Sequence, residues 1–265
     1  MNRPALPSPT TALARKRSAP VLFVVAHGSR DPRHAATVQE LVRRAGALRP
    51  GLRVETAFLD FNLPSVPGAL DRLAADGVRD VVALPLLLTR AFHAKADIPA
   101  VLRQAPPSLS IRQAEVLGPS PLLLAAVERR LYEAGLTPAD KPTTGVVLAS
   151  AGSTDPEAIA VIAETARELR RTGWCSVRPA FASASLPRTE DAVRALRTDP
   201  AVRRVAVSPY VIAPGRLPDR IAAGATEAEA DVLADVLGAS PELASLLLER
   251  YDGARAAHRP VARTA

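Results

Sequence analysis

The chain has 265 residues, 48% of them hydrophobic, which is enough for two domains or one large domain with a full core. No apolar run is long enough to span a membrane, and a single cysteine, Cys175, excludes a disulfide framework and a CxxC metal site. The formal net charge is +7, but the whole excess lies in residues 1–19 and 254–265. The segment between them is neutral, which argues against nucleic-acid binding through a basic face of the fold.

Both ends of the chain are rich in Pro, Ala or Thr and carry basic residues without acidic ones, so we expect disordered basic tails at residues 1–19 and 253–265. The apolar run Val21–Ala26 follows basic residues but is shorter than the hydrophobic region of a signal peptide, and no cleavage site follows it. It reads better as a buried strand. Together with the lone cysteine, this favours a cytoplasmic protein.

The first half of the chain alternates strands and helices four times. Strands are predicted at residues 21–26, 52–59, 81–88 and 110–116, and helices at residues 33–49, 64–75, 94–104 and 121–134. This alternation predicts an α/β fold in which a parallel sheet is covered by helices on both faces.

The same pattern then starts again. The segment Ala26-His-Gly-Ser-Arg-Asp-Pro32 is echoed by Ser150-Ala-Gly-Ser-Thr-Asp-Pro156, and three further landmarks recur at offsets of 120 to 124 residues. A nearly constant offset indicates an internal duplication. We therefore predict an N-terminal lobe over residues 20–136 and a C-terminal lobe over residues 143–252, each with a roughly four-stranded parallel sheet.

The two halves differ in their ionisable residues. His27, Asp60 and His93 each follow a predicted strand of the first half, and their counterparts in the second half are Ala151, Ser183 and Leu217. Ligands of open α/β sheets bind at the carboxyl ends of the strands. Imidazole and carboxylate groups suit borderline divalent metals, and imidazole is a proton acceptor at neutral pH. We therefore predict a cleft between the two halves in which the reactive side chains come from the first half.

Each of these residues also has a structural alternative. His27 precedes a glycine turn whose backbone it could cap, Asp60 has the character of an ordinary turn residue, and His93 lies near a helix start. His34 lies one turn into the first helix and is expected to face solvent.

The segments His27-Gly-Ser-Arg-Asp-Pro32 and Pro85-Leu-Leu-Leu-Thr-Arg-Ala-Phe-His93, the latter followed by Asp97-Ile-Pro99, resemble the CbiX-type sirohydrochlorin chelatases. These are class II chelatases, related to protoporphyrin ferrochelatase, and the resemblance covers about residues 20–252. It implies two flavodoxin-like lobes facing each other across a cleft. It also implies ATP-independent insertion of Fe²⁺ or Co²⁺, with Ni²⁺ as a further candidate, into sirohydrochlorin, in sirohaem or cobalamin biosynthesis and without an organic cofactor.

Transferred by position, the resemblance makes His27 and His93 catalytic and metal-binding, with His27 as the proton acceptor. Asp60 stands where many relatives have the longer Glu, as a third metal ligand. The substrate is a macrocycle fringed with carboxylates, so basic and polar groups are expected at the rim of the cleft. The predicted substrate-binding residues are Ser29, Arg30, Arg90, Lys95 and Arg216, and the runs Leu86–Leu88 and Tyr210–Ile212 are candidates to frame the ring.

Two other functions fit parts of the pattern. A tetrapyrrole or metal carrier without turnover would use the same scaffold. A histidine phosphatase also has His-Gly after a strand, but its motif places Arg directly before the His, where this chain has Ala26. No nucleic-acid or membrane partner is expected. Both lobes lie in one chain, so either a monomer or a homodimer is compatible with the sequence.

Overall fold

The computed structural model describes residues 19–90 and 96–257. Residues 1–18 and 258–265, which belong to the tails predicted at 1–19 and 253–265, lie outside these ranges, as do residues 91–95. The elements of the first half are β1 Val21–Ala26, α1 Pro32–Leu48, β2 Val54–Phe58, α2 Val66–Ala75, β3 Asp80–Pro85, α3 Ile98–Leu102, β4 Ser110–Gln113 and α4 Pro121–Glu133. The elements of the second half are β5 Thr144–Ser150, α5 Pro156–Arg171, β6 Ser176–Phe181, α6 Thr189–Arg197, β7 Arg204–Tyr210, α7 Arg216–Glu227, β8 Val232–Leu233 and α8 Pro241–Ala256.

The strands form two four-stranded parallel sheets with the same topology. The strand order is β2-β1-β3-β4 in one sheet and β6-β5-β7-β8 in the other. In the first sheet Val24 is aligned with Thr56 on one side and with Leu84 on the other. The predicted α/β class and the duplication are confirmed, and a 3₁₀ helix over Pro138–Thr143 joins the halves.

The central strand β1 is buried on both faces, and its side chains alternate between two cores. Leu22 and Val24 point into a core shared by the two halves, while Phe23 and Val25 point into an outer core formed with α2 and α3. This arrangement accounts for the continuous apolar run in the sequence, because a parallel strand covered on both faces has no solvent side.

The last helix of each half packs on the sheet of the other half. Helix α8, from the second half of the sequence, contacts α1 and β3, whereas α4, from the first half, contacts α5 and β7. Tyr251 in α8 donates a hydrogen bond to the carbonyl of Pro20 at 2.6 Å. The two halves of the sequence therefore exchange their C-terminal helices.

The turn after the first strand of each half requires glycine. Gly28 and Gly152 have φ angles of +95° and +97°, a region that other residues rarely adopt. A Cβ atom would lie 1.9 Å from the carbonyl oxygen of Asp60 in the first case and of Ser183 in the second. The turn after the first strand and the loop after the second are thus in direct contact in both halves.

Several boundaries differ from those predicted. β2 covers only Val54–Phe58 of the predicted strand at 52–59, and β4 ends at Gln113, whereas the prediction extended to residue 116. β3 ends at Pro85, whereas the prediction extended to residue 88, and α3 covers only Ile98–Leu102 of the predicted helix at 94–104. α8 continues to Ala256, so residues 253–256 are helical although they were assigned to the C-terminal tail. None of the helices in the described ranges is long and apolar enough to cross a lipid bilayer.

Candidate active site

A cleft of about 510 Å³ lies between the two halves, at the carboxyl ends of the central strands. Its volume is within the range of about 300–1,000 Å³ that is typical of small-molecule sites. The first half contributes residues 26–29, 34, 38 and 86–89, and the second half contributes residues 150–153, 158–159, 162, 181 and 210–218. The apolar runs Leu86–Leu88 and Tyr210–Ile212 both line this cleft, as expected for walls that face a ring.

His27 lies on the wall of the cleft where β1 ends. Its Nδ1 is 3.3 Å from the carbonyl oxygen of Gly28. A carbonyl oxygen only accepts hydrogen bonds, so Nδ1 donates in this contact, and in the neutral imidazole the lone pair is then on Nε2. An imidazole in this tautomer has one nitrogen able to accept a proton or bind a metal ion.

Asp60 holds a turn rather than lining the cleft. Its main-chain N–H donates to the carbonyl of His27 at 2.9 Å, and its Oδ1 accepts from the main-chain N–H of Phe61 at 2.8 Å. The side chain is exposed and is absent from the cleft wall. The contacts of Asp60 are those of a turn residue, which was the structural alternative for this position. Metal ligation through its carboxylate remains a prediction.

His93 and Lys95 fall outside the described residues, so the meeting of the His27 and His93 side chains also remains a prediction. The last described residues after β3 include Leu86 to Thr89, which line the cleft. Within residues 19–90 and 96–257, no three His, Cys, Asp or Glu side chains are grouped so that they could hold a metal ion.

Two of the predicted substrate-binding residues line the cleft, one from each half. Ser29 uses its Oγ to accept a hydrogen bond from the main-chain N–H of Asp31 at 3.1 Å. Arg216, at the first position of α7, is exposed and forms no ion pair with a described residue. Arg30 and Arg90 are exposed and do not belong to the wall, and Arg30 lies with its Cζ 5.1 Å from the ring centre of Phe61.

An ion pair joins the two halves at the N-termini of α1 and α7. Arg33 contacts Asp31 at 2.6 Å and Asp219 of the second half at 2.8 Å. Hydrogen bonds to Asp31 and Asp219 raise the pKa of Arg33. Arg33 is thus already neutralised by protein carboxylates, whereas Arg216 is not.

His34, expected to face solvent, instead lines the cleft. Its ring centre is 6.5 Å from that of Phe58, and its Nδ1 is buried with no hydrogen-bond partner among the described residues. Burial lowers the pKa of His34, nearby His27 lowers it further, and Asp31 opposes the shift. The prediction for His34 was therefore wrong, and a second imidazole belongs to the cleft.

The sequence carried a signal for His34. Val38 is fully buried and also lines the cleft, and His34 precedes it by four residues, which is one turn of the same helix face. Extending the apolar stripe of α1 backwards from Val38 would have placed His34 inside. The counterpart of His34 in the second half is Ala158, which occupies the opposite wall.

The wall from the second half is mainly apolar. Ala151 and Ala158 stand where the first half has His27 and His34. Burial raises the pKa of Tyr210, which also lines this wall, so its phenol is neutral at physiological pH. Two duplicated parallel α/β lobes that enclose a cleft with imidazoles on one wall define a two-lobed protein of the chelatase type.

The chain belongs to the CbiX family, whose model matches residues 21–134 and 145–254. A sirohydrochlorin cobaltochelatase of Priestia megaterium is 30% identical over 246 residues, which cover 88% of this chain and 78% of that protein. A sirohydrochlorin ferrochelatase of the same organism is 27% identical over 236 residues, covering 85% of this chain and 87% of that protein.

Solved structures share the fold. SirB from Bacillus subtilis with Fe³⁺ superposes with a TM-score of 0.78 at 23% identity, covering 89% of this chain and 95% of that one. CbiX, described as the terminal enzyme of sirohaem biosynthesis in denitrifying bacteria, gives a TM-score of 0.65 at 19% identity, covering 88% and 99%. At these identities the likeness establishes the two-lobed architecture.

Proposed function

We propose that this protein is a sirohydrochlorin chelatase, a lyase that inserts Fe²⁺ or Co²⁺ into the macrocycle with release of two protons. The observation that carries the proposal is the cleft between the duplicated halves, with His27 on one wall and the apolar Ala151 at the equivalent place on the other. The similarity to named cobaltochelatases and ferrochelatases over most of the chain supports the same reaction.

His27 is proposed as the proton acceptor. Metallation replaces two pyrrole protons by one dication, so the cleft needs a base beside the ring nitrogens. The contact of Nδ1 with the Gly28 carbonyl leaves the lone pair on Nε2. A proton taken up at Nε2 would leave by exchange with solvent, because His27 is only partly buried.

The incoming metal ion is a substrate, and we propose His27, Asp60 and His93 as the groups that receive it. Two imidazoles and one carboxylate are borderline ligands that bind iron, cobalt and nickel, and release to a tetrapyrrole requires that the protein does not saturate the ion. The exposed position of Asp60 suits capture of the ion from solvent.

Recognition of the macrocycle is proposed to combine apolar walls with a basic rim. Leu86–Leu88 of the first half and Tyr210–Ile212 of the second half both line the cleft and offer apolar surface to a ring. Arg216, free of ion pairs with described residues, is available to a substrate carboxylate, and charge-assisted contacts of this kind are strong. Ser29, Arg30, Arg90 and Lys95 complete the proposed set.

The test compares metal insertion with and without protein. Purified protein, sirohydrochlorin and Fe²⁺, Co²⁺ or Ni²⁺ are mixed anaerobically, and the absorbance change on metallation is followed against metal and macrocycle alone. We expect acceleration that saturates with macrocycle concentration. Tight binding of the macrocycle without acceleration would instead identify a tetrapyrrole carrier. The order of the three rates identifies the preferred metal.

We further propose that the reaction takes place in the cytoplasm and that one chain is sufficient for it. Both walls of the cleft come from the same chain, so a homodimer is compatible with activity but not required by the site. Sedimentation at the concentration of the assay determines which form is active.

A further inference from the structure

Phe61 contacts two of the residues that the proposed function uses. It follows Asp60 in the loop after β2, and its side chain is 49% exposed although it is large and apolar. Its ring centre is 6.3 Å from that of His27, with 25° between the ring planes. The guanidinium Cζ of Arg30 lies 5.1 Å from the same ring centre. Both distances are those of attractive aromatic and cation–π contacts.

The loop that carries Phe61 is fixed to the turn that carries His27. Asp60 is bonded to the His27 carbonyl through its main-chain N–H, and the Asn62 side chain accepts from the N–H of Ser29 at 2.8 Å. Phe61 itself has a φ of +61°, which is uncommon for a bulky residue. The backbone at Phe61 is therefore held in place by hydrogen bonds of both neighbouring residues.

The second half shows that the fold does not need an aromatic ring here. Ala184 is the counterpart of Phe61 and has nearly the same φ, +62°. The preceding Ser183 bonds to the carbonyl of Ala151 at 3.0 Å, as Asp60 does to that of His27. The half that lacks the imidazole also lacks the ring, while the loop conformation is kept. The unusual φ thus belongs to the loop, and the ring is specific to the wall that carries His27.

We propose that Phe61 is a positioning residue, whose ring fixes the plane of the His27 imidazole and holds Arg30 at the rim of the cleft. This inference rests on the proposed function, in which His27 accepts protons and Arg30 binds a substrate carboxylate. An imidazole free to rotate would present Nε2 to the macrocycle for only part of the time, and a displaced catalytic group costs rate.

The experiment uses the full chain with Phe61→Ala, Phe61→Leu, Phe61→Tyr and Phe61→Trp. Leu63→Ala is the control, since Leu63 lies in the same loop and is 83% exposed. Alanine at position 61 is expected to fold because Ala184 has the same backbone conformation. Removing one aromatic contact is expected to lower kcat by about fivefold in the Ala and Leu variants and to raise KM for the macrocycle about threefold. The Tyr and Trp variants and the control should stay within about twofold of the original protein.

A second readout is independent of turnover. The imidazole signals in a ¹H–¹⁵N spectrum of histidine are assigned to His27 by their loss in His27→Ala. In Phe61→Ala the ¹⁵N signals of Nδ1 and Nε2 of His27, whose separation reports the tautomer, should move towards each other, because the ring no longer holds the imidazole in the plane that places Nδ1 against the Gly28 carbonyl. They should remain near their original positions in the Tyr and Trp variants. Unchanged His27 signals in Phe61→Ala, or a loss of kcat that Tyr and Trp do not restore, would overturn the inference. If the original protein inserts no metal, the proposed function fails, and the spectra alone decide whether Phe61 orients His27.

Discussion

Arg130 in α4 and Arg250 in α8 occupy equivalent positions in the two halves, and each donates hydrogen bonds to the main-chain carbonyl of the equivalent leucine in the opposite half. Arg130 reaches the carbonyl of Leu237 with its Nε at 3.3 Å and one Nη at 3.0 Å. Arg250 reaches the carbonyl of Leu117 at 2.6 Å, and also those of Val116 and Pro119 at 2.8 and 3.0 Å. This reciprocal pair of contacts joins the exchanged helices to the loops beyond β4 and β8.

Arg250→Ala should therefore lower the stability of the whole protein. Losing hydrogen bonds from a charged donor to partly buried carbonyls costs about 1–3 kcal/mol, and Arg250 serves three carbonyls while Arg130 serves one. We expect a lower free energy of unfolding in Arg250→Ala than in Arg130→Ala, measured in urea. The control is Arg44→Ala, which removes only an exposed ion pair to Glu40 at 3.9 Å. Equal stability of the Arg250 variant and this control would contradict the role of the contact.

His27→Ala should abolish metal insertion without disturbing the fold. The equivalent strand end in the second half carries Ala151, so the position accepts alanine. Turnover is expected to fall to the rate of metal and macrocycle alone, because the proposed proton acceptor is gone. Insertion is followed by absorbance, and circular dichroism and Tm report the fold. Turnover like that of the original protein would count decisively against the assignment.

Asp60 variants separate a charge effect from a loop effect. In Asp60→Ala the bond to the Phe61 N–H is lost together with the charge, whereas Asp60→Asn keeps an acceptor for that N–H. If the carboxylate receives the metal ion, both variants should lower kcat by about tenfold or more with little change in KM for the macrocycle. Near-original kcat in Asp60→Asn but not in Asp60→Ala would restrict Asp60 to holding the turn. Asp60→Ser, which copies Ser183, controls for folding.

His34 should make the protein less stable in mild acid. Burial lowers the pKa of His34 in the folded chain below its ordinary value, so the unfolded chain binds the proton more readily. Its contribution to stability is complete above the unfolded pKa, about 6.5, and is lost as the pH falls through that value towards the folded pKa. The free energy of unfolding of the original protein should drop more between about pH 7.5 and 5.5 than that of His34→Ala. Identical pH profiles of the two proteins would show that the pKa of His34 is the same in the folded and the unfolded chain.

Much of the fold was predictable because it depends on local patterns and on the repeat. The glycine turns at 28 and 152, the helix starts at Asp31 and Asp155, and the strand runs all have short-range signatures. The end of β3 was not predictable in the same way. Leu86 to Leu88 continue the apolar run of the strand but line the cleft. Apolar residues are favoured both in a cleft wall and in a sheet core, so the sequence does not show where the strand ends.

The exchange of α4 and α8 and the placement of His34 depended on distant packing. An amphipathic helix shows which of its faces is buried but not which sheet covers it, so nothing in Pro121–Glu133 distinguishes its own sheet from the other one. For the site, comparing the two halves of the duplicated sequence predicted that the wall with His27 is the reactive one, because the equivalent position in the second half is Ala151. His34 was missed because a histidine in a first helical turn is usually solvated.

The traded helices make each half an incomplete building block. A fragment that stopped after α4 would lose the helix that packs on α1 and β3, and its own terminal helix would have no neighbouring sheet to lie on. Such a fragment is expected to become stable only by pairing with a second copy, each giving its last helix to the other. One continuous chain with two unlike halves covers both sheets in the same way. It also allows one wall of the cleft to carry imidazoles while the other wall remains apolar.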